Sequence, residues 1–173
     1  MRFGPDSASI DVFQASGELT RYDARTGKRE RRLSIAWKPP AAAQNGPRRV
    51  IQPFWQCALS QDGFALAAII GNEIGLWDFE SGKMRRTLPY PDQKNCHLAL
   101  SPDGKTLATS IRYYLEDPSE DGITRYELER GQRVLSRLQP KDDRAILLAF
   151  SPDGHRLLTG FHRGSALIWD VRR

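Results

Sequence analysis

Three histidines, two cysteines and one histidine–serine neighbourhood are the side chains of this 173-residue chain best suited to chemistry. His162 and Ser165 lie in GFHRGSA, near enough to meet across a tight loop. Nucleophilic catalysis needs a nucleophile, a base within hydrogen-bond reach and a group that orients that base. No G-x-S-x-G elbow surrounds Ser165 to present it on a strained turn. His155 follows a turn glycine, a solvated place, and His97 stands in an apolar run, where a core imidazole with satisfied nitrogens is the common outcome. Cys96 precedes His97, and neighbours in a strand point to opposite faces, so the two do not readily chelate one ion. Cys57, in another apolar run, reads as a small buried hydrophobe. No glycine-rich phosphate loop precedes a helix, because nothing reads as a helix. The expectation is a chain that is not an enzyme, with no catalytic residue, no metal and no cofactor.

Lys and Arg total 26 against 21 Asp and Glu, a net charge of +5, and four of the five excess charges fall within residues 1–87. So mild a bias does not name nucleic acid as the partner. No apolar stretch approaches the roughly 18 residues that span a membrane, and MRFGPDSASID lacks the apolar core of a secretion signal. A cytoplasmic protein without membrane contact is the default.

What must position any working residue is a repeating frame. SPDG occurs at 101–104 and 151–154 and SQDG at 60–63, so Ser60, Ser101 and Ser151 stand 41 and 50 residues apart. Pro presets φ for the second position of a type I turn, Asp tolerates the third, and Gly accepts positive φ. Each turn joins two apolar runs, such as HLAL and TLATSI. A second landmark follows downstream, IGLWDFESGK and ALIWDVRR, with weaker copies LTRYDARTGK and ITRYELERGQ that hold Tyr22 and Tyr126 in the Trp place. Each unit reads as four strands. The first three are nearly continuous apolar runs, which means burial on both faces. The fourth (ERRLSIA, MRRTL, RVLSRL) mixes Arg with apolar residues, as an outer strand does when charge blunts edge pairing.

Self-similarity at about 40 to 45 residues, with insertions absorbed in loops, is the signature of propeller blades. The fold class expected is all-β, a β-propeller arc of about four blades of antiparallel four-stranded sheets. The chain forms one segment over 1–173, with approximate blades at 1–37, 54–89, 95–139 and 145–173 and a linker at 38–53. The first and last blades are expected to be incomplete, the first lacking its first strand and the last its fourth, for 14 strands.

The Ser-Pro-Asp-Gly turn, the Leu-Ala or Leu-Leu-Thr strand, and Trp-Asp followed by Ser-Gly-Lys make this chain resemble the WD-repeat β-propeller family over essentially its whole length. Its landmarks are Asp62, Gly63, Trp77, Asp78, Asp103, Gly104, Asp153, Gly154, Trp169 and Asp170. In that family a Gly-His pair usually precedes the first strand and an Asp sits six positions before the Trp. Here those places hold residues such as Tyr90, Pro91, Gly71 and Arg163. The polar network that links His, Asp, Ser or Thr and Trp in typical members is therefore expected to be largely absent, leaving apolar burial to hold the blades. The resemblance implies scaffolding of protein assemblies.

In a four-strand meander alternate turns lie on opposite rims. The SPDG and SGK turns share one rim, and two elaborations fall on the other: KPPAAAQNGPRRVIQPFW and RYYLEDPSEDG. Scaffolds fix such loops, and loops carry recognition. Arg48, Arg49, Phe54 and Trp55 in the first, and Arg112, Tyr113, Tyr114, Glu116 and Asp117 in the second, are the partner-binding candidates, because Arg and aromatics anchor interfaces. Trp55 also stands where a strand begins, a core position, and the acidic run also fits a solvated loop. The function expected is a noncatalytic protein–protein interaction or scaffold module that presents a docking surface on the rim to a protein or peptide. The alternatives are an accessory propeller of a hydrolase or other enzyme assembly, and a basic nucleic-acid-binding surface. The second is disfavoured because the doublets Arg31 with Arg32 and Arg85 with Arg86 lack interleaved aromatics. Open blade ends are expected to be met by self-association or by the remaining blades of a longer chain.

Overall fold

Apolar runs joined by glycine turns fold back on one another as antiparallel strands, and no helix occurs among the described residues. The computed structural model describes residues 2–3, 7–14, 17–34, 56–70, 73–89, 97–111, 122–130, 132–136, 143 and 145–172. The first sheet runs β1 (Arg2–Phe3), β2 (Ser9–Phe13), β3 (Glu18–Asp23) and β4 (Arg29–Ser34). The second runs β5 (Cys57–Leu59), β6 (Ala65–Ile70), β7 (Glu73–Asp78) and β8 (Met84–Pro89). The third holds β9 (His97–Leu100), β10 (Thr106–Ile111), β11 (Gly122–Glu127) and β12 (Gln132–Ser136). The fourth has three strands, β13 (Ala145–Phe150), β14 (Arg156–Phe161) and β15 (Ala166–Asp170).

Side-chain alternation sends each strand's apolar residues to two different neighbours. In β6, Leu66 and Ala68 face the first sheet and cluster with Leu19, Trp77 and Phe79. Ala65, Ala67 and Ile69 face the third sheet, packing with Leu98 and Leu107. This double burial is why the run ALAAII has no polar position. A third cluster joins the last two sheets through Ala108, Ile123, Leu148 and Leu157. Each buried Leu or Ile contributes about 1.5–3 kcal/mol. The first strands β5, β9 and β13 lie beside one another across the junctions. Inner strands that meet while β4 and β8 stay exposed and charged describe blades stacked as a propeller arc.

The first junction also holds a charge. Asp11, fully buried, accepts two hydrogen bonds from the Arg21 guanidinium at 2.7 and 3.0 Å, and that guanidinium lies 4.7 Å from the centre of the Phe79 ring. Desolvation of Asp11 is offset by this bidentate pair.

One difference from the sequence reading concerns the first blade. The structure has 15 strands among the described residues where the sequence count is 14, because the first blade is shortened rather than without its inner strand: β1 pairs Arg2 with Asp11 and Phe3 with Ile10 in register. Two residues are too few to show a period. The last blade has three strands among the described residues, as the sequence leads one to expect. Among those residues no helix is long and apolar enough to cross a membrane.

Candidate functional site

The Ser-x-Asp-Gly turns are one polar device used three times. The hydroxyls of Ser60, Ser101 and Ser151 each donate to the Asp two residues on. The same oxygens accept the amides of Ala65, Thr106 and Arg156 at 2.8, 2.9 and 2.9 Å, which starts the next strand. The carboxylates of Asp62, Asp103 and Asp153 accept the amides of Phe64, Lys105 and His155 at 3.0, 3.0 and 2.9 Å. The Ser151 hydroxyl, then the His155 amide, hold the Asp153 carboxyl below its ordinary range. For Asp103, burial pushes upward, but the Ser101 hydroxyl and Lys105 amide outweigh it and the net direction is down. Read from sequence these are hairpin corners; in the structure they also step on one another. The Asp62 amide donates to the Pro102 carbonyl at 3.0 Å, and Gly104 (φ +67°) lies so close that a Cβ would stand 2.9 Å from Ala65.

The downstream landmark caps the next turn. Asp78 accepts the Ser81 amide at 2.7 Å and hydroxyl at 2.8 Å and pairs with Arg85 at 2.6 Å. The Ser81 amide first, then Arg85, hold its carboxyl far below the usual range. Asp23 does the same for the first blade with Thr26, whose hydroxyl and amide hold that carboxyl down.

On the rim shared by these turns, a cleft of about 430 Å³ opens between the second and third blades. Buried Ala65 and Leu76, which face the third sheet, form its floor. Phe64 stands at its mouth, 54% exposed, with Leu128 across the junction. Three cations line it. Lys105 pairs with Glu129 at 2.8 Å and Arg85 with Asp78, which leaves exposed Arg86 with no ion-pair or hydrogen-bond partner among the described residues. Asp62 and Asp103 line it as well, but each carboxylate is engaged by its own turn. A concave apolar floor beside a half-exposed ring and one unengaged cation can seat an apolar side chain next to an acid.

The candidates Arg48, Arg49, Phe54, Trp55, Arg112, Tyr113, Tyr114, Glu116 and Asp117 lie outside the described residues. The cleft residues were missed, although aligning the turns carries a signal: the place held by Lys105 and His155 in two blades holds Phe64 in the other. Of the side chains suited to chemistry, His97 Nδ1 meets Gln56 Nε2 at 3.2 Å across the same junction. His155 and Asp153 are 3.6 Å apart and both largely exposed. Ser165 donates to Asp143 at 3.5 Å while the Arg163 amide donates to the same carboxylate at 3.2 Å. Cys57 is half-buried against the first-junction cluster. Among the described residues no group of three His, Cys, Asp or Glu is placed to hold a metal ion.

No protein-family model matches the chain. Transducin beta-like protein 3 of Bos taurus is 30% identical over 131 residues, which cover 72% of this chain and 15% of that protein. The small ribosomal subunit protein RACK1 of Candida albicans is 32% identical over 123 residues, 65% of this chain and 35% of that protein. The β-propeller domain of Myceliophteria thermophila Cps50 (Swd1) superposes with a TM-score of 0.66 at 19% identity, covering 99% of this chain and 51% of that one. The chain is a divergent relative of WD-repeat β-propeller proteins. It spans well under half the length of the two curated relatives. Hydrazine synthase of Kuenenia stuttgartiensis shares the fold as well, with a TM-score of 0.62 at 19% identity over 98% of this chain and 44% of that one.

As a divergent WD-repeat relative it keeps its Trp–Thr hydrogen bond in one blade: Trp169 Nε1 donates to Thr159 Oγ1 at 2.9 Å. In the second blade Ala68 takes the Thr place, and the Trp77 indole lies across Gly75, so near that a Cβ there would fall 2.2 Å from the ring. In the third, Thr109 remains but Tyr126 replaces Trp, and the Thr109 hydroxyl is buried with no hydrogen-bond partner among the described residues. The WD-repeat polar network is thus reduced, and apolar clusters join the blades.

Proposed function

We propose that this chain is a noncatalytic protein-docking module whose rim cleft between the second and third blades holds an extended peptide carrying an acidic residue next to a large apolar one. The observation that carries the reading is the pairing of half-exposed Phe64 with unengaged Arg86 over an apolar floor. The apolar side chain packs on Phe64 and Leu128, and the acid meets exposed Arg86 in a charge-assisted hydrogen bond. Kinship with WD-repeat proteins also supports a role in protein assemblies, although a fold does not choose the partner.

The test is selection of a displayed peptide library on the purified chain, with counter-selection on the double variant Phe64→Asp, Arg86→Glu. Enriched peptides should pair an acid with an aromatic or aliphatic residue and bind the variant at least about tenfold more weakly, the size of one lost charged contact. Peptides that bind both proteins equally, or no enrichment at all, would show that the cleft is not the docking surface.

A further inference from the structure

The junction between the first and second sheets is a filled counterpart of the one that holds the cleft. In three blades the residue after the Trp-Asp place is tied alike: the amides of Phe79, Leu128 and Val171 donate to the carbonyls of Phe64, Lys105 and His155, each the residue after a turn glycine, at 2.9, 2.8 and 2.9 Å. Phe79 is buried in the first junction, with the guanidinium carbons of Arg21 and Arg31 at 4.7 and 5.6 Å from the centre of its ring. Arg21 and Arg31 stand opposite one another in the ladder, so both project from one face of the first sheet. One junction on, each place has a counterpart. Leu128 replaces Phe79 and packs on the cluster that contains Leu76. Leu76 replaces Arg21, both being the residue before the Trp place, and Arg86, opposite Leu76, replaces Arg31. The second junction thus keeps one of the two cations and lacks the ring. Arg86 has no ring within cation–π reach among the described residues. The third junction differs again: Arg125 takes the Arg21 place and donates to the Val171 carbonyl at 2.6 Å, and Val134 stands opposite it where a second arginine would be.

We infer that the large apolar residue seated in the rim cleft is aromatic, its ring held on the Arg86 guanidinium as the first junction holds Phe79 on Arg31. The inference rests on the docking reading above and narrows it from any large apolar side chain to a ring. Leu76 and Leu128 both line the cleft and supply an apolar bed where the first junction has a second arginine and its own phenylalanine. A guanidinium serves two contacts at once: its face attracts the negative face of a ring, and its N–H edge donates in the plane to a carboxylate. An acid beside a ring can therefore share the one unengaged arginine. An aliphatic side chain fills the same bed but leaves the face of the guanidinium bare.

The test titrates the full chain with N-acetyl-Asp-Phe-amide and with the same dipeptide carrying cyclohexylalanine, which keeps the shape and apolar area but has no π face. Binding is read by NMR at the Arg86 Nε–H and at the Leu76 and Leu128 methyls. The aromatic probe should bind about threefold to tenfold more tightly, the range of one cation–π contact, and its ring current should move the Arg86 Nε–H upfield. Arg86→Gln, at an exposed position, should erase the preference between the two probes. Leu128→Phe supplies the ring from the chain itself, as Phe79 does at the first junction, and should block both probes; if that variant does not fold, Arg86→Gln decides. Equal or tighter binding of the cyclohexyl probe, or a Leu128→Phe variant that folds and binds like the parent, would overturn the aromatic assignment and leave the cleft as an apolar docking seat. No shift at Arg86, Leu76 or Leu128 with either probe would overturn the docking reading together with this one.

Discussion

Thr109 and Thr159 occupy one position in two blades and have opposite fates. Thr159 receives the Trp169 indole N–H, while Thr109 is buried with no hydrogen-bond partner among the described residues. A buried hydroxyl without a partner costs its desolvation, and one with a partner recovers it. Thr109→Val should therefore be neutral or stabilise by up to about 1 kcal/mol, whereas Thr159→Val should cost about 1–2 kcal/mol in urea melts. Equal losses at both positions would contradict the hydrogen-bond reading. The tryptophans differ as well: Trp77 is buried in the first-junction cluster and Trp169 is only half-buried. Truncating Trp77 to Ala should cost about 3–5 kcal/mol through the cavity it leaves. The same change at Trp169 should cost measurably less when both are followed by denaturant midpoint.

Turns and strands were largely legible in the sequence, and the reason is local. SPDG and SGK place glycine where φ is positive, and continuous apolar runs such as ALAAII announce a strand covered on both faces. Gly27 and Gly82 separate the two uses of such a glycine. Both have φ near +70°, but a Cβ on Gly82 would lie 2.4 Å from Leu33 Cδ1 of the neighbouring blade, and one on Gly27 would meet nothing within 4 Å. Gly27→Ala should cost about 1–2 kcal/mol of backbone strain, and Gly82→Ala more, in paired chemical melts. The turn carboxylates predict a pH dependence. The carboxyls of Asp78, Asp103 and Asp153 all lie below the ordinary aspartate range in the folded chain. A carboxyl lowered by folding adds stability above its unfolded value and loses it as pH falls through the folded one. Stability in urea should thus hold above pH 4 and decline below it, with a shallower decline in Asp78→Asn. What the sequence hid depends on neighbours far along the chain. The cleft needs Phe64 and Leu128 from adjacent blades, and β1 is too short for any pattern.

At the scale of the molecule, stability should follow how many faces of a blade are covered. The second blade is packed on both faces, whereas the fourth presents Leu147 and Ile168 at 50% and 66% exposure. Arrays whose units touch only their neighbours open from the ends. Hydrogen exchange should be slowest in β6 and β7 and fastest in β14 and β15, and uniform protection across the four sheets would refute that order. The stepped turns carry a further meaning for how the chain is made. Synthesis runs from the N-terminus, and domains begin to fold in that order. When the second blade leaves the ribosome, its Asp62 amide is a donor waiting for an acceptor, and the Pro102 carbonyl arrives about 40 residues later. That finished turn is in effect a landing mark for the third blade still being translated, so at this junction the order of addition is written into the rim itself.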